Sequence, residues 1–234
     1  MEETLQGRAL TLEWIEGDMP YSPAFGDHFY CREDGRAECG HVFLAGNGLP
    51  ERWRQGGDFT IGELGFGTGL NFCETWRAWK ALNAPLSLHF ISFELHPMDR
   101  DSIDKALSRW PELDAERRAL TAAWPDRPEG IVELDFGTGM RLTVIVGDAL
   151  GSLEGSNLAF DAWYLDGFAP SRNPAMWSQD LLRAVFARTK PGGSFATYAA
   201  AGFVRRNLVG AGFVVERRPG FAGKREMLCG VRGG

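Results

Sequence analysis

The sequence predicts a doubly wound α/β fold built on a mostly parallel sheet, and three observations predict it. Short apolar runs alternate with amphipathic helical patterns from Phe59 to Arg217, joined by short loops. A glycine-rich turn, Gly65-Phe66-Gly67-Thr68-Gly69, separates the first of these runs from the first helical pattern. Acidic residues, Glu63, Glu94 and Asp148, recur at the ends of strand-like runs, where open α/β sheets bind their ligands.

In chain order, residues 1–58 are rich in Gly, Pro and aromatics and predict a small β-rich N-terminal extension, with the core occupying 59–234. Leu10–Ile15 alternates as a strand and Gly17-Asp18 turns the chain. Phe59–Leu64 is a buried strand, and Leu70, Cys73, Trp76, Ala78 and Trp79 then lie on one helical face. Leu86–Leu95 is a second strand, Met98–Arg109 a helix opened by Pro97, and Asp114–Trp124 a helix ended by Pro125. Ile131–Phe136 and Met140–Val146 read as a hairpin, and Phe160–Leu165 as the next buried strand. Residues 175–189 form an amphipathic helix, and Pro191-Gly192-Gly193 turns the chain into a strand at Ser194–Ala199. A short helix over 201–210 precedes strands Phe213–Arg217 and Glu226–Val231. The loop between those two strands is too short for a crossover, so the C-terminal strand is predicted antiparallel.

Composition excludes several classes. The 234 residues are 44% hydrophobic and 24% charged, and no stretch approaches the roughly 18 apolar residues that span a bilayer. Glu2 and Glu3 make the N-terminus unlike a secretory signal, so the expected location is cytoplasmic. Cys31, Cys39, Cys73 and Cys229 form no C-x-x-C pair, and the four histidines are scattered, so neither a metal nor a disulfide is expected. The net charge of −6 is divided unevenly: −14 over residues 1–169 and +8 over 170–234. A basic region of this kind is either a polyanion footprint or a solvated face.

The string FGTG occurs twice, at 66–69 and 136–139, but only the first copy lies between a strand and a helix, the setting of a nucleotide loop. A nicotinamide loop would place a third glycine where Leu70 stands, and the G-K-[ST] of a phosphate loop is absent. Gly65, Gly67 and Gly69 let the backbone approach a ligand closely. Glu94 is placed to bind ribose hydroxyls and Asp148 to reach an adenine amine. Acids such as Glu63 and Asp148 favour a cationic sulfonium over a pyrophosphate, which points to S-adenosylmethionine. Taken singly, each acid reads equally well as a helix cap or a surface charge.

Asp166-Gly167-Phe168-Ala169-Pro170 follows the strand expected beside the transferred methyl group. It resembles the Asp/Asn-Pro-Pro-aromatic loop of amino-group methyltransferases, with Gly and Ala in place of the prolines. An alkylamine with a pKa of about 10.4 is mostly protonated at neutral pH, so a carboxylate that orients it and takes its proton is useful chemistry. Asp166 is the candidate for that role, with Phe168 shielding the sulfonium or stacking on substrate. The plainer alternative is a strand-end turn with a core Phe.

The strings HVFLAGNGLPERW (41–53), FTIGELGFGTGLNFCETW (59–76), ISFELHPM (91–98), FDAWYLDGFAPSRNPAMW (160–177), PGGSFATYAAAGFVRRNL (191–208) and GFAGKREML (220–228) carry a further resemblance. The chain resembles the methyltransferase half of the bifunctional bacterial tRNA-modification enzymes of the MnmC family, and their free-standing relatives. The resemblance implies a class I methyltransferase (Rossmann-like) fold and methylation of the exocyclic amine of 5-aminomethyl-2-thiouridine at the tRNA wobble position. It implies Gly65, Gly67, Gly69, Glu94 and Asp148 as cofactor residues and Asp166, with Phe168, as the residues serving the amine. Arg172, Arg205, Arg206, Lys224 and Arg225 are the candidate tRNA contacts. Where relatives have Glu-Thr-rich sequence before Val42-Phe43-Leu44, this chain has Arg36-Ala37-Glu38-Cys39-Gly40, and no substrate role is assigned to it. Nothing in the sequence reads as a flavin site. The chain is either a free-standing enzyme or a piece of a longer bifunctional one, and Met1 and the stop at Gly234 favour the first; the expected partners are tRNA and a separate oxidoreductase or upstream tRNA-modification enzymes.

Two rival functions stand beside this one. A methyltransferase acting on a small-molecule amine would need no basic face. A non-catalytic binding module would have no use for Asp166 or an intact glycine loop.

Overall fold

A computed structural model describes residues 12–82, 87–137 and 139–233. The chain opens with three short strands, β1 (Glu13–Ile15), β2 (Met19–Ser22) and β3 (Asp27–His28), paired antiparallel in that order. The rest of the expected first strand, Leu10 and Thr11, lies outside the described residues. Helical turns follow where alternation predicts none. Helix α1 (Gly35–Glu38) is capped by Asp34, which accepts the Arg36 and Ala37 N–H groups. A π turn at Cys39–Leu44 and 3-10 turns at Ala45–Asn47 and Trp53–Gln55 complete the segment. Such tight turns lack the 3.6-residue period that makes longer helices legible.

The core then runs β4 (Phe59–Leu64), α2 (Leu70–Lys80), β5 (Leu88–Glu94), α3 (Arg100–Leu107), α4 (Asp114–Ala123), β6 (Ile131–Asp135) and β7 (Met140–Val146). It continues through α5 (Ala149–Glu154), β8 (Phe160–Leu165), α6 (Gln179–Arg188), β9 (Thr189–Thr197), α7 (Gly202–Ala211), β10 (Val214–Arg218) and β11 (Met227–Val231). The sheet order is β10-β11-β9-β8-β4-β5-β7-β6. Strands β7, β5, β4, β8 and β9 pair parallel, while β6 and β11 run antiparallel to their neighbours. The hairpin of β6 with β7 and the antiparallel β11 are as the sequence predicts. The order reverses at β4, whose neighbours are β5 and β8, so a crevice opens beyond the ends of β4 and β8.

Three local departures have local causes. Helix α5 was not expected after Gly147-Asp148; Asp148 caps it by accepting the Gly151 N–H at 2.8 Å. Helix α6 starts at Gln179 rather than 175 because Pro174–Trp177 forms a 3-10 turn and Ser178 caps the helix proper. Strand β9 begins at Thr189, and Pro191-Gly192-Gly193 lies inside it as an irregularity between the Phe160 and Ala162 pairings.

Alternate residues of the central strands feed cores on opposite faces. Ile61, Phe90 and Tyr164 pack on one side, and Leu64, Phe93 and Trp163 on the other. Gly62 has no side chain because the Trp163 ring crosses β4 there: a Cβ would meet it at 2.5 Å. The segment before β4 shares the first core through Cys39, Val42, Phe43, Leu49 and Trp53. It is also stapled to the sheet by polar groups. Asn47 donates to the Phe43 and Trp163 carbonyls at 2.9 and 3.1 Å and accepts from the Ser194 hydroxyl at 2.6 Å. Arg52 donates to Ser194 Oγ at 2.6 Å and to the Asp161 carbonyl at 3.0 Å. The Asn47, Arg52 and Ser194 side chains thereby have partners, which avoids a desolvation cost of about 1–3 kcal/mol per orphan. The string GNGLPERW therefore has an architectural role.

Candidate active site

The glycine loop leaves β4 with Gly65, Gly67 and Gly69 at φ of +87°, +53° and +75°. Side chains are strained in this left-handed region, and their absence leaves backbone facing the crevice. Phe66 turns inward and stacks on Trp124 at 5.1 Å, which anchors the loop to the core. Glu94, at the end of β5, braces the loop from the side: Oε2 accepts the Gly67 N–H at 2.9 Å and Oε1 accepts the His96 N–H at 2.7 Å.

The second loop leaves β8. Asp166 Oδ1 accepts the Gly167 N–H at 2.8 Å, and Oδ2 accepts from Asn71 Nδ2 at 2.8 Å. Enclosure by protein pushes the Asp166 carboxyl up to about 7, although the Asn71 and Gly167 donors oppose the shift. The same Asn71 Nδ2 donates to Glu63 Oε1 at 3.0 Å, and the Ser92 hydroxyl donates to Glu63 Oε2 at 2.6 Å. Glu63 is fully buried, and desolvation carries its pKa well above the usual carboxylate range.

Phe168 stacks on Phe25 at 4.5 Å and meets Phe29 edge-on at 5.1 Å. Asp27 Oδ2 accepts the Ala169 N–H at 2.8 Å, and the Tyr198 hydroxyl donates to the Gly167 carbonyl at 2.6 Å. The N-terminal strands thus hold the β8 loop from one side and the residue after β9 holds it from the other. Lys224 pairs with Glu38 at 2.6 Å and lies 4.6 Å from the centre of the Tyr198 ring.

Gly65, Gly67, Glu94, Asp148, Asp166, Phe168 and Lys224 all line one cavity of about 400 Å³. Asn71, Glu38, Asp27 and Tyr198 line it too, and sequence reasoning missed all four. The usable signal for Asn71 was its position two residues after Gly69, in the first turn of α2. Two residues from the glycine motif stand apart: Glu63 is buried behind the loop, and Gly69 caps α2 without lining the cavity. Among the basic candidates, Lys224 alone lines the cavity. Arg206 and Arg225 are exposed, Arg205 is half-buried on α7, and Arg172 is exposed beside Gly26. Asp148 is exposed and serves as the α5 cap while facing the cavity. Among the described residues, no group of three His, Cys, Asp or Glu is placed to hold a metal ion, and no helix is long and apolar enough to cross a membrane.

The sheet order and the crevice at its reversal define a class I methyltransferase fold. A family model described as S-adenosyl-L-methionine-dependent methyltransferase matches residues 111–233, and the chain belongs to that family. The tRNA 5-methylaminomethyl-2-thiouridine biosynthesis bifunctional protein MnmC of Chromohalobacter salexigens is 44% identical over 227 residues, covering 94% of this chain and 32% of that protein. Its namesake in Caulobacter vibrioides is 44% identical over 225 residues, covering 95% and 38%. The chain thus spans about a third of the length of these relatives. The crystal structure of MNMC2 from Aquifex aeolicus shares the fold, with a TM-score of 0.73 at 21% identity over 94% of this chain and 70% of that one.

Proposed function

We propose that the protein methylates the exocyclic amine of 5-aminomethyl-2-thiouridine at the wobble position of tRNA, giving 5-methylaminomethyl-2-thiouridine. The observation that carries this reading is Asp166: a half-buried carboxylate on the cavity wall, held by two N–H donors and titrating near neutrality. The names of the MnmC relatives supply the nucleoside.

The cavity suits the cofactor. Gly65 and Gly67 bare the backbone on one wall, and Glu94 and Asp148 place carboxylates beside them. We assign Gly65, Gly67, Gly69, Glu94 and Asp148 to cofactor binding, Gly69 through the turn it sets. When bound, S-adenosylmethionine supplies an electrophilic methyl group. The chain's own task is to present a neutral amine to it. Asp166 has acceptor capacity left on both oxygens, so it can orient an ammonium and take its proton. A carboxyl that titrates near 7 is well matched to proton exchange at neutral pH. Phe168 closes the wall beside it. Arg172, Arg205, Arg206 and Arg225 lie outside the cavity and are assigned to the tRNA backbone. We place the enzyme in the cytoplasm, with an oxidoreductase or earlier tRNA-modifying enzymes supplying the amine.

The test is methyl transfer from labelled S-adenosylmethionine to total tRNA from a strain lacking this enzyme, followed by nucleoside analysis. Label in 5-methylaminomethyl-2-thiouridine is the expected result. Asp166→Asn should lower the rate about 10²- to 10⁴-fold at neutral pH, with a residual rate that climbs as pH rises. Label confined to free small amines, or an unimpaired Asp166→Asn enzyme, would overturn the reading.

A further inference from the structure

We propose that Asn71 is a positioning residue for methyl transfer: its side-chain amide holds Asp166 against buried Glu63 and so locks the β8 loop to the glycine-loop end of α2. The inference rests on the reading that Asp166 serves the amine.

The geometry is specific. Nδ2 carries two N–H groups and has two carboxylate partners, Asp166 Oδ2 at 2.8 Å and Glu63 Oε1 at 3.0 Å. Neither partner is its neighbour in the chain: Asp166 is 95 residues away and Glu63 is eight. Glu63 is in turn fixed by Ser92 on β5 at 2.6 Å. Three strands, β4, β5 and β8, are therefore tied through one side chain on α2. Asp166 is left with one occupied site on each oxygen, and its remaining lone pairs are free for a substrate.

The charges allow this. Two anions bridged by one neutral amide would repel each other; burial raises the Glu63 carboxyl well above the usual carboxylate range, which favours its neutral form and eases that repulsion. Asp166 itself is pushed up to about 7 by its enclosure. The other charged and titratable groups that face the pair are Glu38, paired with Lys224, Tyr198, whose hydroxyl is committed to Gly167, the Cys39 thiol, which burial pushes well above its ordinary range, and Glu94 on the Glu63 side. Asn is suited to the position. Aspartate would add a third carboxylate, and alanine would free the Asp166 side chain to rotate.

The experiment measures the pH profile of kcat/KM for tRNA methylation, and cofactor affinity by calorimetry, in wild type, Asn71→Ala, Asn71→Gln and Asp166→Asn, and in the Asn71→Ala/Asp166→Asn double variant. Asn71→Ala should bind S-adenosylmethionine as wild type does and lose about ten- to a hundredfold in kcat, the cost typical of a misplaced catalytic group. Its acid limb should move to higher pH, because a lost N–H donor raises the carboxylate pKa. Asn71→Gln, which keeps the donors, should recover part of the rate. In the Asp166→Asn background, Asn71→Ala should have no further effect. A wild-type pH profile in a slow Asn71→Ala enzyme, or additive losses in the double variant, overturns the proposal. Loss of cofactor binding in folded Asn71→Ala also overturns it, since Asn71 would then be a cofactor ligand. If Asn71→Ala fails to fold, Asn71→Leu, which keeps the bulk and removes both N–H donors, carries the same tests. An Asp166→Asn enzyme with normal turnover would instead sink the reading beneath it.

Discussion

Replacing Asp166 with Asn should make the protein more stable at alkaline pH while it disables catalysis. The carboxyl titrates at about 7 in the folded chain against an ordinary 3.8. At about 1.36 kcal/mol per unit, carrying this anion costs the folded state roughly 4 kcal/mol above pH 7. The sign follows from proton counts. Between pH 3.8 and 7 the native protein holds a proton that the unfolded chain has lost, so wild-type stability falls as pH rises through that window and stays low above it. Asn carries no such penalty, but it meets two N–H donors, Gly167 and Asn71, with only one acceptor oxygen. One donor-to-donor encounter costs about 1–3 kcal/mol. The net expectation is an Asp166→Asn protein more stable than wild type by about 1–3 kcal/mol at pH 8.5 and less stable near pH 4. Urea denaturation of both proteins without cofactor, at half-unit steps from pH 4 to 9, measures the difference, and subtraction cancels the titrating groups that do not interact with Asp166. A stability difference that stays flat across this range would refute the claim that Asp166 is a destabilised anion.

The other expectations concern binding and loop support. Glu94→Ala removes a carboxylate that braces Gly67 and His96, and should weaken S-adenosylmethionine binding about ten- to a hundredfold by calorimetry; unchanged affinity in the folded variant would remove Glu94 from the site. Gly67→Val puts a β-branched residue at φ +53° with Phe29 within 3.5 Å, and should abolish cofactor binding in the same assay. Neutralising Arg205 and Arg206 together should weaken tRNA binding and flatten its salt dependence without altering cofactor affinity, and a filter-binding salt titration that shows no change would leave the α7 face merely solvated. Asp27→Ala strips the acceptor from the Ala169 N–H and should lower kcat with little change in cofactor affinity; wild-type turnover would show that the N-terminal strands do not support the loop.

Much of this site was legible because its chemistry sits at predictable places. The first FGTG string stood between a strand and a helix, and Asp166 followed a buried strand, so both fell at the sheet's carboxyl edge. Glu63 shows where that rule blurs. It is one residue short of the end of β4, and period-two alternation buries it against Ser92 and Asn71 instead of facing it to the crevice. Lys224 was grouped with the basic surface because charge counts carry no direction; its loop folds back onto Glu38 and Tyr198. Phe25, Asp27 and Glu38 were illegible for another reason. They come from a segment of tight turns without periodicity, and their partners lie more than a hundred residues away, as with Asp27 and Ala169 at 142.

The spacing of these partners also sets an order in which the pocket can be made. Gly67 and Glu94 are 27 residues apart, so this brace of the glycine loop can form once β5 is made, ahead of the Trp124 anchor. Asn71 and Asp166 are 95 apart, and the larger loop costs about 1 kcal/mol more in closure entropy besides the wait for β8 to be synthesised. Until β8 arrives, one side of central β4 is a bare row of unpaired N–H and C=O groups, open to any passing strand. A nascent chain stalled before residue 160 would therefore display a braced glycine loop and an open sheet edge, without the Asp166 loop that completes the cavity.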